Sequence, residues 1–441
     1  MKAKLTHRLP VRLWRFGIGG LLLAGGTLLD HRGIAGQTVM GNPLPQPPLQ
    51  TLDQQDEPNE MDVFQPAGQP ADVTLPSYLQ YGPVQAHPHA DYRFTYGSGI
   101  QNAPGEASDT IEQELSTGVA LDVGRHWVVD YTPTFRFYSS DKFKDGVDHS
   151  VTLTGNLAYD AWKLGLSQIS QFTSAPMSET AAQTDQSSHA TSLTAGRALT
   201  SNLSADFSLN QTINQVSGYQ DSYDWNTMDW INYTFWPRLN AGLGVGGGYV
   251  LTEGDNNQAY GNNNDLDQTY QELQARVNWR ATEKISFQIS GGFEDRQFST
   301  AGTGDSLSPL YGASIQYQPF SATQISLSAN RTVSSSDYYL AAQQTETTVL
   351  AVNLNQRLLK KFTLGLGLDY SQTDFNTASG YVSGGSVNRT DNMVSFNARL
   401  SHPFYKRGTW SVFYQYSDNR SSEAGFGYQS NQMGFELTYR F

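Results

Sequence analysis

Hydrophobic and polar residues alternate one by one along most of the chain beyond residue 90. At its far end Met433, Phe435, Leu437, Tyr439 and Phe441 share one parity, while Gly434, Glu436, Thr438 and Arg440 share the other. A two-residue period sends successive side chains to opposite faces of an extended backbone, so the stretch predicts a strand. The same grammar recurs upstream. Trp127, Val129, Tyr131, Phe135 and Phe137 alternate with Val128, Asp130, Thr132, Thr134 and Arg136. Leu203, Ala205, Phe207 and Leu209 alternate with Ser204, Asp206, Ser208 and Asn210. Leu273, Ala275, Val277 and Trp279 alternate with Glu272, Gln274, Arg276 and Asn278, and Phe362, Leu364, Leu366, Leu368 and Tyr370 with Thr363, Gly365, Gly367 and Asp369. Such a polar face is costly in a dry core. Hydrocarbon outside and water inside would satisfy both faces.

The connections between these segments support that reading. Short turns are expected near Arg125, Ala161, Ser201, Pro237, Thr282, Gln318 to Ala322, Lys360 and Pro403 to Gly408. Between them lie longer polar stretches: 102–108, 141–146, 174–186, 217–224, 253–265, 301–305, 334–342, 376–389 and 419–424. A regular exchange of short and long connections is the signature of a bacterial outer-membrane barrel. The predicted fold is therefore all-β, a closed antiparallel transmembrane β-barrel of about eighteen strands, with sixteen as the alternative, short periplasmic turns and long extracellular loops. Pro133 falls inside a strand and implies a bulge or a missing ladder bond.

Composition agrees with strands rather than helices. Aromatic residues make up 12% of the 441-residue chain, with 24 Tyr and 41 Gly, and only 38% of residues are hydrophobic. A negative mean hydropathy is compatible with a barrel, because only alternate residues face lipid. The formal charge of −13 disfavours nucleic acid as a partner. With no cysteine, thiolate ligands, thiolate nucleophiles and disulfides are excluded.

The first residues change the picture of where the chain goes. Lys2, Lys4, Arg8, Arg12 and Arg15 precede the apolar run 16–29, and small residues follow at Gly33, Ala35 and Gly36. That order predicts a secretory signal peptide over 1–36, and the apolar run is shorter than the roughly twenty residues a membrane helix needs. Residues 37–90 contain no Lys or Arg but ten of the chain's 18 prolines, so they are expected to form a Pro-rich acidic periplasmic linker, with 73–83 the part best suited to docking. The barrel is assigned to 91–441.

The stretch Gly82-Pro83-Val84, the strand Asp130-Tyr131-Thr132-Pro133-Thr134-Phe135 and the ending Tyr439-Arg440-Phe441 together resemble the β-barrel porin-2-like outer-membrane proteins. The resemblance spans about 82–441 and implies a porin-like channel for passive passage of solutes, or a part of polysaccharide export, since that family is often associated with exopolysaccharide clusters. It also implies contact with outer-membrane lipid and lipopolysaccharide, and recognition of terminal Phe441 by the barrel assembly machinery. No cofactor is implied. A non-conducting structural or adhesive surface barrel is the alternative from another class, and a soluble β-rich binding protein is a third.

Candidate chemistry is sparse. Asp148, His149 and Ser150 are adjacent, but neighbours on a strand point to opposite faces and cannot readily share a proton. His87 and His89 have metal-ligand spacing without an apparent third ligand, and Asp255, Asp265 and Asp267 match no calcium-loop spacing. The run Gly242 to Gly248 lacks the lysine and helix of a phosphate loop, and close packing is the expected reason for it. Parity instead points Glu112, Glu114, Asp130, Arg136, Asp206, Glu272, Arg276, Asp369, Arg399, Glu436 and Arg440 into the lumen. Two readings stand: they line a wet passage, or they pair across strands and brace a filled interior. Trp127, Trp162, Trp236, Trp279, Trp410 and Phe441 are expected to form an aromatic girdle at the short-turn end, with Tyr138, Trp225 and Tyr249 at the outer one.

Overall fold

Alternation commits each segment to extended chain, and closure follows because an apolar outer face leaves no room for a sheet edge in lipid. The structure, a computed structural model, describes residues 79–440 apart from 178–181, 219, 255–266, 300–304, 336–342, 378–387 and 406. Its wall consists of eighteen strands. In chain order they are β1 (Val84–Ala103), β2 (Glu106–Val123), β3 (Trp127–Tyr138), β4 (Gly146–Tyr159), β5 (Trp162–Thr173) and β6 (Gln186–Ala198). There follow β7 (Leu203–Val216), β8 (Gln220–Trp236), β9 (Leu239–Gly254), β10 (Gln268–Thr282), β11 (Ile285–Phe298) and β12 (Ser306–Phe320). The last six are β13 (Thr323–Ser335), β14 (Gln343–Leu358), β15 (Phe362–Thr377), β16 (Arg389–Phe404), β17 (Gly408–Ser421) and β18 (Tyr428–Arg440). Each pairs antiparallel with its sequence neighbours, and β18 pairs with β1 from His89↔Arg440 to Ser98↔Asn431, which closes the barrel.

The first strand begins at Val84 rather than at residue 91. Val84 to Ala90 are already paired with Val123 to Thr117 of β2, so His87 and His89 belong to the wall and not to a linker. The signal peptide and nearly all of the expected linker, together with Asp255, Asp265 and Phe441, lie outside the described residues.

Turns at one end are uniformly tight, at 124–126, 160–161, 237–238, 283–284 and 321–322 among others. The opposite end carries the longer connections, with two corrections. The stretches 102–108 and 217–224, expected to be loops, are mostly strand, with turns at 104–105 and 217–218. Gly105 at φ +79° and Gly218 at φ +82° supply left-handed positions that let the chain reverse within so few residues. At Pro133 the rungs between Ser116↔Thr134 and Val119↔Tyr131 are missing while the register is unchanged on either side. The missing amide hydrogen thus removes ladder bonds without inserting a bulge.

Burial is inverted relative to a water-soluble protein. Leu243 is 67% exposed and Phe293 59%, whereas Glu294 is 1% and Arg296 2% exposed. The apolar band faces outward and the polar set inward, as alternation requires in a membrane barrel. Inward residues on the outer halves of the strands are the most deeply buried: Gln268, Tyr270, Glu272, Gln274 and Arg276 of β10 are all enclosed, but Asn278 and Arg280 nearer the turn end are not. The lumen is therefore tightest toward its outer mouth.

Candidate functional site

The inward side chains of the wall form the candidate site, and they are organised by reach across strands. Around the closing seam a chain of charges crosses from β16 to β4. Arg399 pairs with Glu436, which also accepts Arg93 Nη1 at 2.9 Å. Arg93 stands 3.9 Å from Glu114, and Arg136 meets Glu112 at 3.1 Å, Glu114 at 2.9 Å and Asp148 at 2.8 Å. Positive and negative groups alternate through this array, so each guanidinium is held between carboxylates on neighbouring strands. Arg399 is the open end, with 48% of its side chain exposed to the lumen.

A second array lies on β7, β8 and β10. Arg276 Nη2 reaches Asp206 at 3.0 Å and Asn232 at 2.8 Å, and its guanidinium lies 4.1 Å from the centre of the Trp230 ring. These contacts pass over β9, whose inward positions at that level are Gly242, Gly244, Gly246 and Gly248. A Cβ on Gly244 would come within 2.7 Å of Trp230. The glycine run is thus a floor without side chains, across which β10 reaches β8 and β7. Glu272, on the same wall, is 4% exposed and accepts a bond from Gln274 at 3.1 Å.

Other sites share the pattern of arginine stacked on an aromatic ring and anchored by an acid or amide. Arg296 bonds Glu294 and Gln268, each at 2.8 Å, above Tyr270. Arg389 lies between Phe375 and Phe426, at 4.0 and 4.2 Å, and pairs with Asp391 at 3.0 Å. Near the turn end, His89 Nε2 meets Asp130 Oδ2 at 3.0 Å across Gly118, and His87 Nε2 meets Asp122 at 3.0 Å. The two histidines take different carboxylate partners. No cluster suited to a metal ion is found among the described residues.

Two features narrow the outer mouth. In the loop 174–185, Pro176–Met177 pairs with Ala182–Gln183, and that hairpin reaches β1 on the far side of β2, β3 and β4. Its base is tied to the preceding loop by paired bonds between Gln183 and the Lys144 backbone, both 2.8 Å. The second feature is a break in the ladder. Pairing of β12 with β13 ends at Tyr311↔Arg331, although both strands continue outward. Across the break Ser308 donates to Glu346 at 2.7 Å and Gln344 to Ser308 at 3.0 Å, and Arg331 pairs with Glu346. Ser308 is paired with inward Glu294, whereas Glu346 has the parity of outward Leu350 and Val352. An inward serine can bond an outward carboxylate two strands away only if the outer part of β13 and β14 lies on the lumen side of β12. Ser308 and Gln344, 2% and 4% exposed, are buried where the two layers overlap.

The registers place Glu112, Glu114, Asp130, Arg136, Asp206, Glu272, Arg276, Asp369, Arg399, Glu436 and Arg440 on the inward face. Sequence reading missed Arg93, Asp148, Glu294 and Arg296, all legible by parity, and Arg389, hidden in a stretch taken for a loop. Tyr138 is corrected: it shares the parity of Arg136 and stacks on Phe143 at 5.0 Å, off the outer girdle. Trp127, Trp162, Trp236, Trp279 and Trp410 stand at the turn end on the outward face, and Trp225 and Tyr249 stack at 6.5 Å at the other end. Asp148 serves Arg136 inside, while His149 stacks on Tyr131 outside, so the two do not form a catalytic pair.

The family model described as "Putative beta-barrel porin 2" matches residues 252–441, from the end of β9 onward. Among solved structures, the chain is similar to the siderophore receptor PirA from Pseudomonas aeruginosa, with 8% identity over 80% of each chain and a TM-score of 0.43. It is also similar to Pseudomonas aeruginosa OpdL, with 13% identity over 81% of this chain and 98% of that one at a TM-score of 0.42. For Acinetobacter baumannii OccAB3 the values are 10% identity, 81% and 99% coverage, and 0.42. No curated protein matches the chain in sequence.

Proposed function

We propose that this chain, a porin-like β-barrel of the outer membrane, lets small polar solutes cross passively through a wet lumen. The observation that carries the reading is the inward face itself: it is polar on strand after strand, and it opens to water toward the turn end. Because most charges of the two main arrays meet an opposite one, the field there is largely balanced, with a small excess of acid where Arg136 faces Glu112, Glu114 and Asp148. Such a wall discriminates weakly by charge and mainly by size and hydrogen bonding. The hairpin across the mouth and the overlap of β13 and β14 with β12 favour small solutes over a polymer, so service to polysaccharide export is the lesser reading.

On this proposal the apolar band contacts outer-membrane lipid and lipopolysaccharide, and the assembly machinery of that membrane inserts the barrel. No enzymatic role is part of it. The test is conductance in planar bilayers, backed by swelling of liposomes in small sugars. Stepwise currents and sugar-dependent swelling are expected. Folded, inserted protein that passes neither would replace the channel with a structural or adhesive surface barrel.

A further inference from the structure

Charge is unevenly divided between the two ends of the lumen. At the turn end Arg280, Arg357 and Arg440 share the parity of the inward set and stand exposed, and the turns add exposed Arg125, Arg238 and Lys360. Acids at that end are fewer among the described residues, and two of them, Asp122 and Asp130, are already bonded to His87 and His89. The outer mouth has the opposite character, with Asp145, Asp185, Asp221 and Glu253 around one groove. Cations gathered around a wet opening attract anions, and their reach grows as salt is lowered.

The chain itself brings acids to this place. Gln80 and Tyr81 pair with Gln85 and Val84, on the edge of β1 that β18 occupies from His89 onward. Followed from Tyr81 back to Gln80, the backbone climbs that edge toward Arg440, which is paired with His89. There β18 bars any continuation along the edge, which leaves only the lumen side or the girdle side. Residues 37–78 carry Asp53, Asp56, Glu57, Glu60, Asp62 and Asp72 and no Lys or Arg. Lipid and indole rings offer carboxylates no partner, whereas the lumen side offers Arg440 first and the other cations beyond it. A chain at full extension covers about 3.3 Å per residue, so these acids can reach cations on the wall opposite β18.

We propose that residues 37–78 dock on the cationic turn end of the lumen, where Arg280, Arg357 and Arg440 hold their carboxylates. The proposal rests on the reading of the lumen as a wet passage, because the contact is made inside it. Docked acids offset the cations of that end and narrow its opening, so the chain restricts its own passage. An attachment made by exposed charges is screened by salt. High salt therefore releases the segment.

The chain has no cysteine, which makes thiol labelling a clean test. Full chain carrying Asp62→Cys is folded into bilayers and treated with a polyethylene-glycol maleimide. Ser201→Cys, in an exposed turn at the same end, sets the reference rate. Relative to that reference, Asp62→Cys is expected to label at least tenfold more slowly in low salt than in 1 M salt, where screening acts within about 3 Å. Adding Arg280→Gln, Arg357→Gln and Arg440→Gln should restore fast labelling in low salt, with heat-modifiable migration showing a folded barrel. If that triple change prevents folding, the salt dependence decides alone. Fast labelling at both salts, or a folded triple variant that labels as slowly as its parent, overturns the proposal, whether the cations then hold an anionic solute or lipid headgroups. The rates need no current, so a barrel that passes no ions yet shows labelling released by salt would sink the passage and leave this contact standing.

Discussion

Single residues in this wall act through what their neighbours leave uncovered. Arg136 satisfies Glu112, Glu114 and Asp148 at once, all within 3.1 Å. Arg136→Ala therefore leaves three carboxylates without their common cation. The reversal potential in a salt gradient should shift toward the cation, and stability should fall by about 3 kcal/mol or more, the scale for breaking a buried pair. An unchanged reversal potential would mean that these acids do not border the conducting path. Gly244 shows the opposite dependence, on the absence of a side chain. Gly244→Val drives methyl groups into Trp230, and overpacking of that kind costs about 1–3 kcal/mol. The urea midpoint of the folded barrel should drop accordingly, whereas Gly291→Val, where a Cβ meets nothing nearer than 4.0 Å, should leave it nearly unchanged.

Strands differ from one another more than their common alternation suggests. β9 presents a bare inward surface, β3 carries Pro133 at a gap in the ladder, and β12 and β13 part company beyond Tyr311↔Arg331. The overlap at that parting makes a sharp prediction. Ser308→Cys with Gln344→Cys should form an intramolecular disulfide on mild oxidation, read as a mass loss of about two hydrogens. Were β13 and β14 to continue the wall in line, an inward and an outward cysteine would face away from each other and stay reduced. Parity was enough to place Glu272 or Arg276 inside, and it would have placed Arg93 and Tyr138 as well. It misleads at Arg331 and Glu346, whose outward parity becomes a buried interface once the strands are tucked.

The closed barrel turns local pairings into a lumen with two unlike ends. Inward residues near the outer mouth are enclosed, whereas several near the tight turns, such as Asn278 and Arg280, meet water. The hairpin of Pro176–Met177 and Ala182–Gln183, which crosses the mouth to β1, is the piece most separable from the wall. Replacing 175–184 by a short Gly-Ser link should raise single-channel conductance by about twofold or more if that hairpin limits the opening. Equal conductance would shift the constriction to the overlap of β13 and β14 with β12. The stability of the wall should fall only modestly, because the deletion removes no ladder between barrel strands, although it takes away Ala175 and Met177, each 1% exposed.

By itself, the sequence determined which side chains share a face, that the chain forms about eighteen strands and at which end the short turns lie. A two-residue period assigns faces without knowledge of any partner, and Gly, Pro and Asn mark reversals locally. It did not determine which arginine meets which acid, because that depends on register between strands and on whether the strand between them carries a side chain at that level. The tight turns at 104–105 and 217–218 were obscured by their polar flanks, which read as loop and fold as strand. A polar row on the outer face was likewise invisible. Gln168, Thr191 and Gln211 are scattered in the chain, and only pairing of β5, β6 and β7 brings them into one line. Tertiary structure decided those features because each is a relation between strands, whereas alternation is a property of one strand alone.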